Sequence, residues 1–125
     1  MDRLVVTVLF LFMENELPQA TWKERILYFF GRRRGFLIEG NSMAPTLLDG
    51  DAVLIDPRAT ILAGDIALAK HPYKQSVKIL KRIDKINTDG SFELTGDNEV
   101  ESTDSRTFGP ILSKDILGKA VCRLK

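Results

Sequence analysis

A chain of 125 residues with 44% hydrophobic and 28% charged side chains has the composition of one compact domain, which excludes a disordered tail or a fibre. The formal net charge of +1 leaves no broad footprint for nucleic acid, although GRRRG at residues 31–35 gathers three positive charges at one basic corner. The single cysteine, Cys122, excludes an intramolecular disulfide, and with His71 alone beside it there are too few ligands for a His/Cys zinc site. No metal and no cofactor are expected; a reducing compartment is allowed, and a cytoplasmic setting is expected.

In chain order, LVVTVLFLFM from Leu4 to Met13 is apolar but covers half of the ~20 residues that a membrane-crossing helix needs. A secretory signal is disfavoured, because Asp2 cancels Arg3 and the following ENELPQA has no small-x-small cleavage site. Read from Met13, the chain has an ordinary cytosolic start, an expectation that an N-terminal peptide mass tests; membrane association is not expected. Beyond Pro18, the positions of Trp22, Ile26, Leu27, Phe29 and Phe30 approximate one apolar helical face, with Lys23, Glu24 and Arg25 mostly away from it. A helix capped by Thr21 is therefore predicted. Three roles are open to it: docking on the core, lying on a membrane surface, or guiding a substrate.

From Gly35 the spacing changes to short runs between turn signals: FLIE, AVLID, DIALAK, SVKILKRI, SFELTGD and KAVCRL. The one helical interruption predicted is SKDIL at residues 113–117, capped by Ser113 and stopped by Gly118. The expected architecture is mainly β, a small sheet or barrel-like domain over residues 35–125, preceded by an N-terminal apolar segment and helix over residues 1–34. Cys122, in the apolar run KAVCRL, reads as a small core residue.

Within GNSMAPTLLDGD, residues 40–51, Ser42 sits in a turn-forming setting and raises the question of a nucleophile. A nucleophilic serine needs a base. His71, before Pro72 in a loop, has nothing local to orient it as a triad imidazole and reads as structural. The strand SVKILKRI offers another base, since period-two geometry places Val77, Ile79, Lys81 and Ile83 on one face and Ser76, Lys78, Leu80 and Arg82 on the other. Burial on an apolar face disfavours an ammonium and turns a lysine into a usable base; the competing reading is that Lys81 extends its head to water. In LTGDNEVESTDSRTFGP, residues 94–110, Ser102 is placed to orient a neutral lysine amine, and Asp104 with Arg106 to form a local ion pair.

Taken together and in this order, NSMAPTLLDGD, KRI and GDNEVESTDSRTFGP resemble the signal peptidase family of Ser/Lys proteases. The resemblance runs from about Phe36 to the C-terminus and implies a signal-peptidase/repressor-protease-like β fold with a short N-terminal helix. It implies Ser42 as nucleophile, Lys81 as general base, Ser102 as the lysine-orienting hydroxyl, and Asp104 and Arg106 as structural support. Met43 and Pro45 would shape the turn and substrate cleft, and the Ser42 backbone N–H would serve the oxyanion. Through GNSMAPTL, VLIDPRA, KHP, KRI, LTGDN, ESTDSRTFGP and GKAVCR the compact chain is similar to the nickel-type superoxide dismutase maturation proteases. That resemblance implies a partner, the leader peptide of the nickel superoxide dismutase precursor.

Two features depart from membrane signal peptidases: KRIDKINTDG has no GLPGD-like continuation, and Gly40 stands where many relatives place a hydroxyl for the oxyanion. Other readings stay open. One is a minimal membrane-associated signal peptidase; another is a self-cleaving regulator, for which the 34 residues before the β region leave little room for a DNA-binding module. The last is a non-catalytic peptide-binding module in which Ser42 is a turn residue.

Overall fold

The computed structural model describes residues 17–98, 100 and 108–124. Its elements are α1 (Trp22–Phe29), β1 (Arg34–Leu37), β2 (Ala52–Asp56), β3 (Ile66–Lys70), β4 (Lys78–Ile86), β5 (Phe92–Thr95), a 3-10 turn (Ser113–Asp115) and β6 (Ile116–Leu124). The strands form one six-stranded sheet in the order β1-β2-β6-β3-β4-β5, antiparallel at every pairing. The mainly β expectation with one short N-terminal helix holds. Among the described residues no helix is long and apolar enough to cross a membrane.

The sheet is covered on both faces, which is why its central strands read as continuous apolar runs. On β3 the pleat sends Ile66 and Leu68 to one cluster, with Val53, Ile55, Leu80 and Ala120, and sends Ala67 and Ala69 to the other, with Ile83, Leu94, Phe108 and Ile111. Cys122 is buried opposite Leu54 and is a core residue as expected; its burial pushes the thiol pKa up.

Two local expectations need correction. Ser113 makes no capping bond, and the turn it opens runs directly into β6, so that Gly118 lies inside a strand rather than ending a helix. A glycine is required there by close approach: an added Cβ would lie 2.6 Å from Ile55 Cγ2 and 2.7 Å from the Asp56 carbonyl. Thr21 does cap α1, accepting the Glu24 N–H at 3.4 Å, but no residue of the helix is buried. The apolar face of α1 does not dock on the core.

Candidate active site

The segment bearing Ser42 is a loop held shut at its neck and plugged into the core. At the neck, the Ile38 N–H donates to the Asp51 carbonyl at 2.7 Å and the Gly50 N–H to the Ile38 carbonyl at 2.9 Å. Gly40 adopts a φ of 84°, a left-handed conformation suited to glycine, and its N–H donates to Asp49 at 2.7 Å. Beyond the serine, the Leu47 N–H returns to the Met43 carbonyl at 3.0 Å, and both side chains are fully buried in the first core cluster. Burying each is worth about 1.5–3 kcal/mol, enough to pin the loop by its far side. Pro45 follows a cis peptide bond and is exposed, whereas Met43 and half-buried Ser42 line a groove.

Lys81 enters the same groove from β4, paired with Ala67 of β3. It is 5% exposed, which weighs against the reading in which its head extends into bulk water. Its neighbours two positions away on the same face, Ile79 and Ile83, belong to the second apolar cluster, while Lys78 is exposed as the pattern predicted. The groove encloses about 860 Å³ between residues 36–43 on one side and the 76–81 stretch on the other, with His71 and Phe108 in its wall. The His71 ring lies 5.1 Å from that of Phe108, and its Nδ1 accepts the Tyr73 N–H at 3.1 Å.

The two walls are tied together by the residues that follow β5. The Asn98 N–H donates to the Ser42 carbonyl at 2.9 Å and its side-chain amide to the Asn41 carbonyl at 3.1 Å. Asp97 accepts the Thr46 hydroxyl at 2.5 Å from the serine loop, and at the same time the Arg82 guanidinium at 2.5 and 3.1 Å from β4. Arg82 follows Lys81 directly and also donates to the Gly64 carbonyl at 2.9 Å. With side chains only 15% and 17% exposed, the Arg82–Asp97 pair is shielded from water, where a charge-assisted, two-pronged bond is strong and directional. One carboxylate thus sets the serine loop against the lysine strand.

Sequence reasoning does not reach Arg82, Asp97, Asn98 and Thr46 as site residues, although Arg82 stands in KRI, Asp97 and Asn98 in GDN, and Thr46 in NSMAPTLLDGD. Ser102, Asp104 and Arg106 lie outside the described residues. The arrangement places a hydroxyl and a buried amine in one groove beside an edge strand, β1, with a backbone loop whose geometry is fixed from both sides. Such a constellation suits acyl transfer by nucleophile and base.

Comparison with known proteins points to a peptidase. The family model described as Peptidase S24-like matches residues 22–121. The chain is 33% identical to mitochondrial inner membrane protease subunit 1 of Xenopus tropicalis, over 70% of this chain and 66% of that protein. It is 32% identical to mitochondrial ATP-independent inner membrane protease subunit 1a of Arabidopsis thaliana, over 70% and 67%, and 35% identical to the human subunit 1, over 60% and 59%. The chain therefore spans about two thirds or less of the length of these relatives. The fold, the groove and these matches together make the chain a member of the peptidase S24-like family.

Proposed function

We propose that the protein is a serine endopeptidase in which Ser42 and Lys81 form a catalytic dyad that removes an N-terminal leader from a precursor protein. The observation that carries this reading is the presence of Ser42 and the buried Lys81 in one groove, on elements braced against each other by Asp97. The mechanism requires Lys81 as a neutral amine, the form that desolvation favours. Its Nζ takes the proton from Ser42 Oγ as the oxygen attacks the scissile carbonyl, and the resulting ammonium then protonates the departing amine. The acyl-enzyme is released when the same amine activates a water. On the strength of the motif resemblance, Ser102 is the proposed amine-orienting hydroxyl, and Asp104 and Arg106 the proposed structural support. With Gly40 in place of a hydroxyl residue, stabilisation of the oxyanion falls to backbone N–H groups, including that of Ser42.

The substrate binds as an extended strand. Among the described residues β1 has a sheet neighbour on one side only, and its exposed Leu37 and half-buried Phe36 line the groove. A peptide laid there gains backbone hydrogen bonds for affinity and side-chain pockets for selectivity. The leader of the nickel superoxide dismutase precursor is the proposed substrate, on the strength of the motif resemblance, and the cytoplasm the proposed setting. A second reading, a membrane-associated leader peptidase, is favoured by the likeness to the three inner membrane proteases.

Incubating the purified chain with a nickel superoxide dismutase precursor and reading product masses tests the proposal. A single cut that leaves an N-terminal histidine, lost in Ser42→Ala and Lys81→Ala, is the expected result. Cleavage confined to membrane-inserted precursors would replace the substrate with that of the second reading, and cleavage that survives in Lys81→Ala would overturn the dyad.

A further inference from the structure

The helix α1 faces the wrong way for a helix that packs by its apolar side. At 100° per residue, Phe29, Trp22, Ile26 and the C-cap Phe30 occupy one continuous arc, and they are 83%, 67%, 46% and 73% exposed. The opposite arc holds Glu24, Leu27 and Tyr28, and that side meets the protein. Glu24 accepts Arg33 Nε at 2.7 Å, Leu27 is half-buried, and the Tyr28 ring lies so close to Gly35 that an added Cβ would sit 3.2 Å from its hydroxyl oxygen. Arg33 also reaches Asp56 on β2 at 3.5 Å. The rotation of the helix is thus set by an ion-pair network, with the aromatic arc held outward.

The charge around this arc is one-sided. Exposed Lys23 and Arg25 flank it, Lys23 Nζ lying 5.6 Å from the Trp22 ring centroid, and exposed Arg32 and Arg34 follow. Residues 17–37 contain five basic side chains and one acidic, a net +4 in a chain whose total is +1, and the one acid, Glu24, is already paired with Arg33. Aromatic rings beside exposed cations suit the boundary between lipid headgroups and acyl chains, and an eight-residue helix can lie in that plane but not cross it. A second copy of the same face would bring two such positive patches together, which disfavours a dimer through it.

We propose that the outward face of α1, formed by Trp22, Ile26, Phe29 and Phe30 and bordered by Lys23 and Arg25, docks on the surface of a bilayer containing anionic lipid. This surface stands apart from the groove and does not depend on the peptidase reading. Trp22 is the sole tryptophan, so its emission reports directly on the contact. The full chain is mixed with vesicles of phosphatidylcholine alone or with phosphatidylserine added, and binding is read by Trp22 fluorescence and co-sedimentation.

The expected result is a blue shift and sedimentation with the anionic vesicles only, weakening as salt shortens the screening length. Replacing both Phe29→Ser and Phe30→Ser lowers affinity at least about tenfold, and Lys23→Glu with Arg25→Glu lowers it by a similar factor. Circular dichroism checks that each variant is folded; if the aromatic pair unfolds, the charge-reversal pair carries the test. Cleavage of a groove substrate in solution stays unchanged in both. Equal binding to neutral vesicles, no binding to anionic ones, or full binding by folded variants would overturn the proposal, the last moving the contact to another segment such as Leu4–Met13. A concentration-dependent blue shift without lipid would assign the face to a second copy and overturn it equally.

Discussion

Lys81 in the groove is 5% exposed, whereas Phe29 on α1 is 83% exposed. Each inverts the usual placement of its residue type, and the means by which each inversion is held are similar. At the groove, the apolar positions Ile79 and Ile83 cover the lysine's face of β4 while Asp97 and Arg82 brace the strand from the side. On α1, the Glu24–Arg33 pair shares the inward side with Leu27 and Tyr28 and holds the aromatic arc outward. In both regions an ion pair of intermediate burial sets the orientation, and the residue it orients costs stability where it lies. Departures of this kind concentrate at functional sites, where local consistency yields to chemistry.

The comparison is most severely tested by removing the buried charge. Lys81→Met keeps the volume and removes the desolvated amine, so leader cleavage should fall by about 10³-fold or more, while the thermal midpoint stays level or rises. Ser42→Ala should match the loss of activity without shifting the midpoint. If Lys81→Met instead unfolds the protein, the lysine is structural and the contrast with α1 fails. Asp97→Ala comes next: it leaves Arg82 shielded without its carboxylate and releases Thr46, and should cost about 2–3 kcal/mol in denaturant unfolding together with a drop in cleavage. Smaller still is Thr21→Ala, which removes the α1 cap and should cost about 0.5–1 kcal/mol, readable as faster amide exchange confined to the helix. Smallest is Phe29→Ser, which changes solution stability by no more than about 0.5 kcal/mol because the ring packs on little; a large loss would show that α1 does contribute to the core.

Legibility from sequence followed the range of the interactions concerned. AVLID at residues 52–56 is legible as β2, because a short apolar run between turn signals is a local signal. β4 runs on to Ile86, past the expected end at Ile83, since its boundary is set by the Asn87–Ser91 turn and pairing with Phe92 rather than by apolar content. Gly118 misled because its requirement comes from Ile55 and Asp56 on the neighbouring strand. At the site, Ser42 and Lys81 could be read because each lies in a recognisable motif, and the fold brings both to one groove. Arg82, Asp97 and Thr46 could not, as their bonds join positions 15 and 51 residues apart. The orientation of α1 was equally hidden, since amphipathic spacing identifies a face without saying whether it turns in or out, and the deciding Glu24–Arg33 bond spans nine positions.

The central claim is that Lys81 activates Ser42, and it is tested most directly by covalent trapping. The full chain is incubated with a serine-reactive phosphonate over a range of pH, and the adduct is located by peptide mass. The account predicts an adduct on Ser42 whose rate rises with pH and falls by orders of magnitude in folded Lys81→Met. Labelling of Ser42 at an undiminished rate in that variant, or labelling of the wild type at another serine, would contradict it.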